Sequence, residues 1–241
     1  MAPVRSPNPW GPATTPEGTS LPQPLPFGDT LRRMEAGHQH QELLLPPPRL
    51  HRWLANFEGR HGPTTLGVTD GALVGTAADG SRFEARQPFD AAYDGPADPA
   101  AFLAAISLPP RWGVLLVRKG GFAVALLHQE RVSASKVGQR HVQGRTKAGG
   151  QSQQRFARRR GNQAREAYQA TADHAARVLG DSPLPVVVGG DRAALEAVLA
   201  DPRLAGVRVV GPRLAVPDPR RGVLDAAILD AGSVRMRVVN A

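Results

Sequence analysis

The residues with chemistry to offer are gathered in one stretch, Lys136 to Arg165, which reads KVGQRHVQGRTKAGGQSQQRFARRRGNQAR. Within it Gly149 and Gly150 precede Gln151, and Gln153 follows two positions later. Paired glycines let backbone approach a reacting group where a side chain would collide, and they reach dihedrals closed to other residues. A glutamine behind them can orient water through its side-chain amide or its backbone N–H. That N–H can also donate to negative charge developing on a reacting oxygen, a contribution of roughly 10²–10³ in rate per donor elsewhere. No Asp or Glu occurs between Arg131 and Arg165 and the chain has no cysteine. The segment therefore suits orientation and charge stabilisation rather than nucleophilic side-chain catalysis.

The same stretch carries the charge. Ten Lys or Arg lie between Arg131 and Arg165, against a net charge of +9 for the whole chain, so the remainder is close to neutral. Charge concentrated in this way is the electrostatic footprint of a surface that meets a nucleic-acid backbone. The candidate RNA contacts are Lys136, Arg140, Arg145, Lys147, Arg155, Arg158, Arg159 and Arg160, acting as sequence-independent phosphate contacts. A solvated helix face is the competing reading for the arginines alone. Anionic membrane surfaces compete for the same charge, but no apolar run approaches the roughly 20 residues that span a bilayer, and the N-terminus lacks a secretory apolar core. The absence of cysteine excludes disulfides and thiolate metal sites and fits a reducing cytoplasm. His38 and His40 stand at i, i+2 without a third ligand, so neither a metal nor another cofactor is expected.

The surrounding elements must position this stretch. Residues Met1 to Phe27 contain eight prolines and no sustained apolar periodicity, which predicts a disordered tail. Gly28 to Leu45 predicts a short helix, stopped by Pro46 to Pro48. Arg49 to Arg60 spaces Leu50, Trp53, Leu54 and Phe57 on one helical face. Thr64 to Phe89, with Asp70-Gly71 and Asp79-Gly80, predicts a small antiparallel meander, and Asp98 to Ile106 a helix with Pro99 in its first turn. Trp112 to Val132 predicts a hairpin about Lys119-Gly120-Gly121, leading directly into the basic loop. A long amphipathic helix from about Ser152 to Leu179 follows, ended by Gly180. Leu184 to Val188 and Val207 to Val210 read as buried strands, Arg192 to Leu199 and Arg221 to Leu229 as helices, and Val234 to Val239 as a last strand. The fold class is α/β, a mixed sheet with flanking helices, preceded by a small β-rich, α+β N-terminal region and a disordered tail. The expected boundaries are a tail and linker over 1–46, the small region over 47–110 and the catalytic unit over 111–241, with its loop at 136–155. Val186 to Asp191, VVVGGD, could be a phosphate-binding turn, against an ordinary strand-to-helix connection.

Sequence around the two glycines is more telling than the glycines themselves. AGGQSQQRFARRRGNQARE resembles the GGQ loop and following helix in the central domain of eukaryotic and archaeal class-one peptide chain release factors. There GGQS precedes an RFAR segment, matched here by Gly149, Gly150, Gln151, Ser152 and by Arg155, Phe156, Ala157, Arg158. The resemblance spans roughly residues 112 to 230. It is nearest to actinobacterial release-factor-like peptidyl-tRNA hydrolases, related to the eukaryotic ankyrin-repeat and zinc-finger protein of ribosome quality control. In that eukaryotic branch the loop reads GGSQ, and Gly150-Gln151-Ser152-Gln153 aligns either way. Gln151 and Gln153 therefore compete for the catalytic role, with Gln151 favoured because the flanks then align without a gap.

The resemblance implies hydrolysis of the ester that joins a nascent peptide to the terminal ribose of tRNA, with peptidyl-tRNA and large-subunit ribosomal RNA as partners. It gives His141 no role as a base. A termination factor also needs a codon-reading domain and a surface for a partner GTPase, which the first 110 residues do not resemble. Rescue of peptidyl-tRNA on stalled or split large subunits in the cytoplasm is thus the expected function. A nuclease acting on the tRNA acceptor end and a non-catalytic ribosome- or RNA-binding module are the alternatives.

Overall fold

The computed structural model describes residues 40–119, 121–139, 151–180 and 183–241, and of 151–161 the backbone alone. Strand β1 (His40–Leu45) is followed by helix α1 (Leu50–His61) and by β2 (Thr64–Thr69), β3 (Ala72–Ala77) and β4 (Arg82–Arg86), then by the short helix α2 (Pro99–Ala104). Asp70 and Gly71 both take positive φ, 50° and 74°, between Thr69 and its partner Ala72. This is the two-residue turn whose twist suits a hairpin. The Asp98 side chain accepts from the Ala101 N–H at 2.8 Å and caps α2. Leu50 and Phe57 of α1 and Phe102 of α2 are buried against Leu73, Phe83 and Ala85 of this sheet.

A second sheet has the order β7-β6-β5-β8-β9, built from β5 (Trp112–Arg118), β6 (Gly121–His128), β7 (Arg131–Gln139), β8 (Leu184–Gly190) and β9 (Val207–Val209). The β5–β6 and β6–β7 pairs are antiparallel; β5–β8 and β8–β9 are parallel. Helix α3 (Gln151–Leu179) and helix α4 (Arg192–Leu199) cover one face, meeting Leu115, Val117, Val124, Val186 and Val188. Helix α5 (Arg221–Ala231) covers the other, meeting Trp112, Val114, Leu116 and Val187. Alternate residues of β5 thus enter two cores, which is why its sequence is a continuous apolar run. Burying both faces of one sheet is the α/β arrangement the sequence predicts.

Three expectations change. Residues 40–45, expected within a short helix and a linker, form β1, which pairs antiparallel with the last strand, β10 (Val234–Val239). β10 also pairs with β4, giving the first sheet the order β1-β10-β4-β3-β2. The end of the stretch expected as one unit over 111–241 returns to the first sheet, where Val234, Met236 and Val238 join its core. The loop expected over 136–155 is shorter at both ends, because β7 continues to Gln139 and α3 begins at Gln151. The expected disorder of 1–39 lies outside the described residues.

Candidate functional site

Two elements carry the chain into and out of the loop, and one aromatic ring joins them. β7 pairs with β6 in the register Phe122 to Gly138 and Gly121 to Gln139. A Cβ on Gly138 would collide with the ring of Phe122, 2.7 Å from Cζ, and one on Gly121 would sit 2.7 Å from the Gly138 carbonyl oxygen. Glycine inside a strand marks such close approach. The Phe122 ring also stacks on His174 of α3, with centroids 5.2 Å apart and planes 20° from parallel. Phe122 is thereby packed between the strand that enters the loop and the helix that leaves it.

The direction of α3 follows from its contacts. Leu179 lies over Gly113 at the start of β5, where a Cβ would come within 2.7 Å of its Cδ2. His174 lies over Phe122 at the opposite end of the hairpin. Between Leu179 and His174 the helix therefore runs from the start of β5 toward the β5–β6 turn. Thr171, Ala172, Ala175 and Leu179 are buried, whereas Asn162, Gln163, Arg165 and Glu166 are exposed. At 1.5 Å per residue, the helix from His174 back to Gln151 is about 35 Å long.

The buried end of α3 is tied down by charge. Arg203 donates from Nε and Nη2 to the two Asp201 oxygens at 2.9 and 2.8 Å, and from Nη2 to Asp173 Oδ1 at 2.6 Å. Gln169 Nε2 donates to Asp201 at 3.2 Å. The hydrogen bond from Arg203 holds the Asp173 carboxyl below the usual carboxylate range. Its side-chain and backbone donors depress Asp201 further, and the carboxylates raise the guanidinium. Gly180, at φ 73°, closes the helix by donating to Ala176 O at 2.9 Å, and Arg111 Nη2 donates to Leu179 O at 2.7 Å.

The sequence-derived residues fall into three groups. Lys136 is exposed on β7. Gln151, Gln153, Arg155, Arg158, Arg159 and Arg160 lie on the first turns of α3, with the backbone described. Arg140, His141, Arg145, Lys147, Gly149 and Gly150 lie outside the described residues. Gln151 is the first residue of α3, and the first four N–H groups of a helix have no partner within it. An anion meeting that N–H also meets the positive end of the helix dipole.

VVVGGD is an ordinary connection. Its amides are spent within the fold: Gly190 N–H donates to Leu214 O at 3.0 Å and Asp191 N–H to Val117 O at 2.8 Å. Among the described residues no three His, Asp or Glu could hold a metal ion, and no helix is long and apolar enough to cross a membrane. Sequence reasoning overlooked Phe122, Gly138 and His174. The legible signal was Gly138, a glycine one residue from the end of the strand.

A family model described as the Actinobacteria/chloroflexi VLRF1 release factor matches residues 110–237, more than half of the chain. The chain belongs to this family. Membership ties it to translation as a release factor, in keeping with the resemblance carried by residues 149–158. The family match begins just before β5 and runs into β10, so it takes in the second sheet, the loop and α3. Among solved structures, the Vms1 mitochondrial localization core aligns at 10% identity over 78% of this chain and 81% of that one, with a TM-score of 0.34. Pelota from Archaeoglobus fulgidus aligns at 11% identity over 80% of this chain and 63% of that one, with a TM-score of 0.26. A search of curated proteins gives no match.

Proposed function

We propose that this release factor hydrolyses peptidyl-tRNA on stalled or split large ribosomal subunits, using Gly149, Gly150 and Gln151 at the junction of the loop with α3. The observation that carries the reading is the position of Gln151 as the first residue of a 29-residue helix, where the first N–H groups have no partner within the helix. Water, oriented by the Gln151 amide, adds to the ester carbonyl carbon. The carbonyl oxygen gains negative charge and accepts a hydrogen bond from the backbone N–H at the helix start. The bond to the ribose oxygen then breaks, that oxygen takes a proton, and the peptide leaves as a carboxylate. The glycines keep the approach free of side chains. Lys136, Arg140, Arg145, Lys147, Arg155, Arg158, Arg159 and Arg160 hold RNA phosphates. No cofactor is required by this chemistry.

In this reading the unit on the second sheet carries the reaction. Gln153 remains the competing glutamine. Release of labelled peptide from purified ribosome–nascent-chain complexes by wild type, Gln151→Ala and Gln153→Ala assigns the role, with loss expected for Gln151→Ala and retention for Gln153→Ala. Sequencing the 3′ end of the released tRNA tests the reaction: an intact terminal ribose is expected, whereas a shortened end identifies a nuclease and overturns the hydrolase reading.

A further inference from the structure

The first sheet has a second face, turned away from α1 and α2. Side chains alternate between faces along a strand, and Phe83, Ala85, Val234 and Met236 are buried in the core beneath the helices. Arg82, Glu84 and Arg86 of β4 therefore share the opposite face with Arg235 and Arg237 of β10. The register sets them side by side: Arg237 lies between Glu42 of β1 and Glu84, and Arg235 lies directly opposite Arg86. Glu42, Glu84, Arg86, Arg235 and Arg237 line a depression of about 290 Å³.

Four arginines thus share this face with two glutamates. Arg86 pairs through Nε with Glu84 and donates from Nη1 to the Asp70 carbonyl oxygen at 2.9 Å. Arg235 meets Asp90 Oδ1 at a loose 3.9 Å, while Asp90 Oδ2 accepts from the Gly211 N–H at 2.7 Å. Arg82 and Arg237 have partners of their own. Like charges directly opposite across a ladder are unfavourable, so an anion seated between Arg86 and Arg235 turns a repulsion into two attractions. Both side chains are about one-third exposed, 35% and 33%, which leaves them open to a ligand and partly shielded from water. We propose that this depression binds the phosphate group of a small phosphate ester, with Arg86 and Arg235 as its main contacts. A carboxylate fills one guanidinium fork with its two oxygens, whereas a phosphate offers three and can engage two forks. Glu42 and Glu84 on the same wall oppose a continuous phosphate chain and suit a single anionic group. The site lies on the first sheet and the loop springs from the second, so the proposal goes beyond peptide release and does not depend on it.

The experiment titrates the full chain with methyl phosphate, and separately with acetate, in a calorimeter, for wild type, Arg86→Gln and Arg235→Gln. Each substitution should weaken methyl phosphate at least about tenfold, the loss expected when hydrogen bonds to a charged group are removed, and acetate should bind wild type more weakly than methyl phosphate does. Melting curves supply the second reading. Without ligand, Arg235→Gln should melt at or above the wild-type temperature, because the opposed pair is relieved. With methyl phosphate, wild type should rise and the variant should stay where it was. Equal affinity in all three proteins overturns the proposal, as do acetate binding as tight as methyl phosphate and a melting deficit in Arg235→Gln that is the same with and without ligand. A loss of single-stranded RNA binding in the variants with methyl phosphate binding unchanged also overturns it and assigns the arginines to nucleic acid.

Discussion

Replacing Gly138 with Ala tests how the loop is held. The added methyl would lie 2.7 Å from Cζ of Phe122, whose ring is only 9% exposed and backed by His174. The ring has nowhere to yield without disturbing α3, so overpacking should cost about 1–3 kcal/mol. Phe122→Ala alone removes a buried ring and should cost about 3–5 kcal/mol. In that background the methyl of Gly138→Ala enters vacated space. Its cost should fall to about zero or turn favourable by up to about 1 kcal/mol, because glycine inside a strand is itself unfavourable relative to alanine. The four proteins of the cycle, unfolded in urea and followed by circular dichroism, should show a coupling of about 1–3 kcal/mol. Equal cost of Gly138→Ala in both backgrounds would refute the packing of the strand, ring and helix as one assembly.

Other perturbations probe the supports. Arg203→Met should lower the melting temperature at neutral pH by releasing Asp173 and Asp201. Both carboxyls are depressed in the folded state, so their stabilisation is complete above the ordinary carboxyl pKa, about 4, and is lost as pH falls through the folded values. The gap between wild type and Arg203→Met, read from melting curves, should stay constant above about pH 5 and narrow below about pH 4. Gly190→Ala combines a φ of 102° with a methyl driven into the Val117 carbonyl and should destabilise by at least about 1–3 kcal/mol in denaturant unfolding. Asp98→Ala removes the α2 cap and should cost about 0.5–2 kcal/mol in the same measurement.

Most of the second sheet was legible because its signals are local. The continuous apolar run of β5 and β6 about a glycine turn, the LPVVV strand and the spacing of Tyr168, Thr171, Ala175 and Val178 each announce an element. β7 was not: RVSASKVGQ is an edge strand with small and charged residues, and its sequence lies inside the basic run that drew attention to charge. β1 failed for another reason. Its three leucines follow polar residues without a clear period, and its partner is some 195 residues away in sequence, at the other end of the chain. The same nonlocal pairing placed β10 in the first sheet, which no local pattern reveals. At the site, the reactive residues were readable from their types and order, whereas the Phe122 packing needed the strand register and the helix direction together.

Peptide release under saturating factor, from large subunits carrying a labelled nascent chain, addresses the loop itself. Removing the Gln151 side chain keeps the backbone N–H but takes away the amide that orients water, and should cut the rate about 100-fold, while subunit binding stays at the wild-type level. Release by Gln151→Ala at the wild-type rate, with binding equally intact, would contradict the assignment of chemistry to the start of α3.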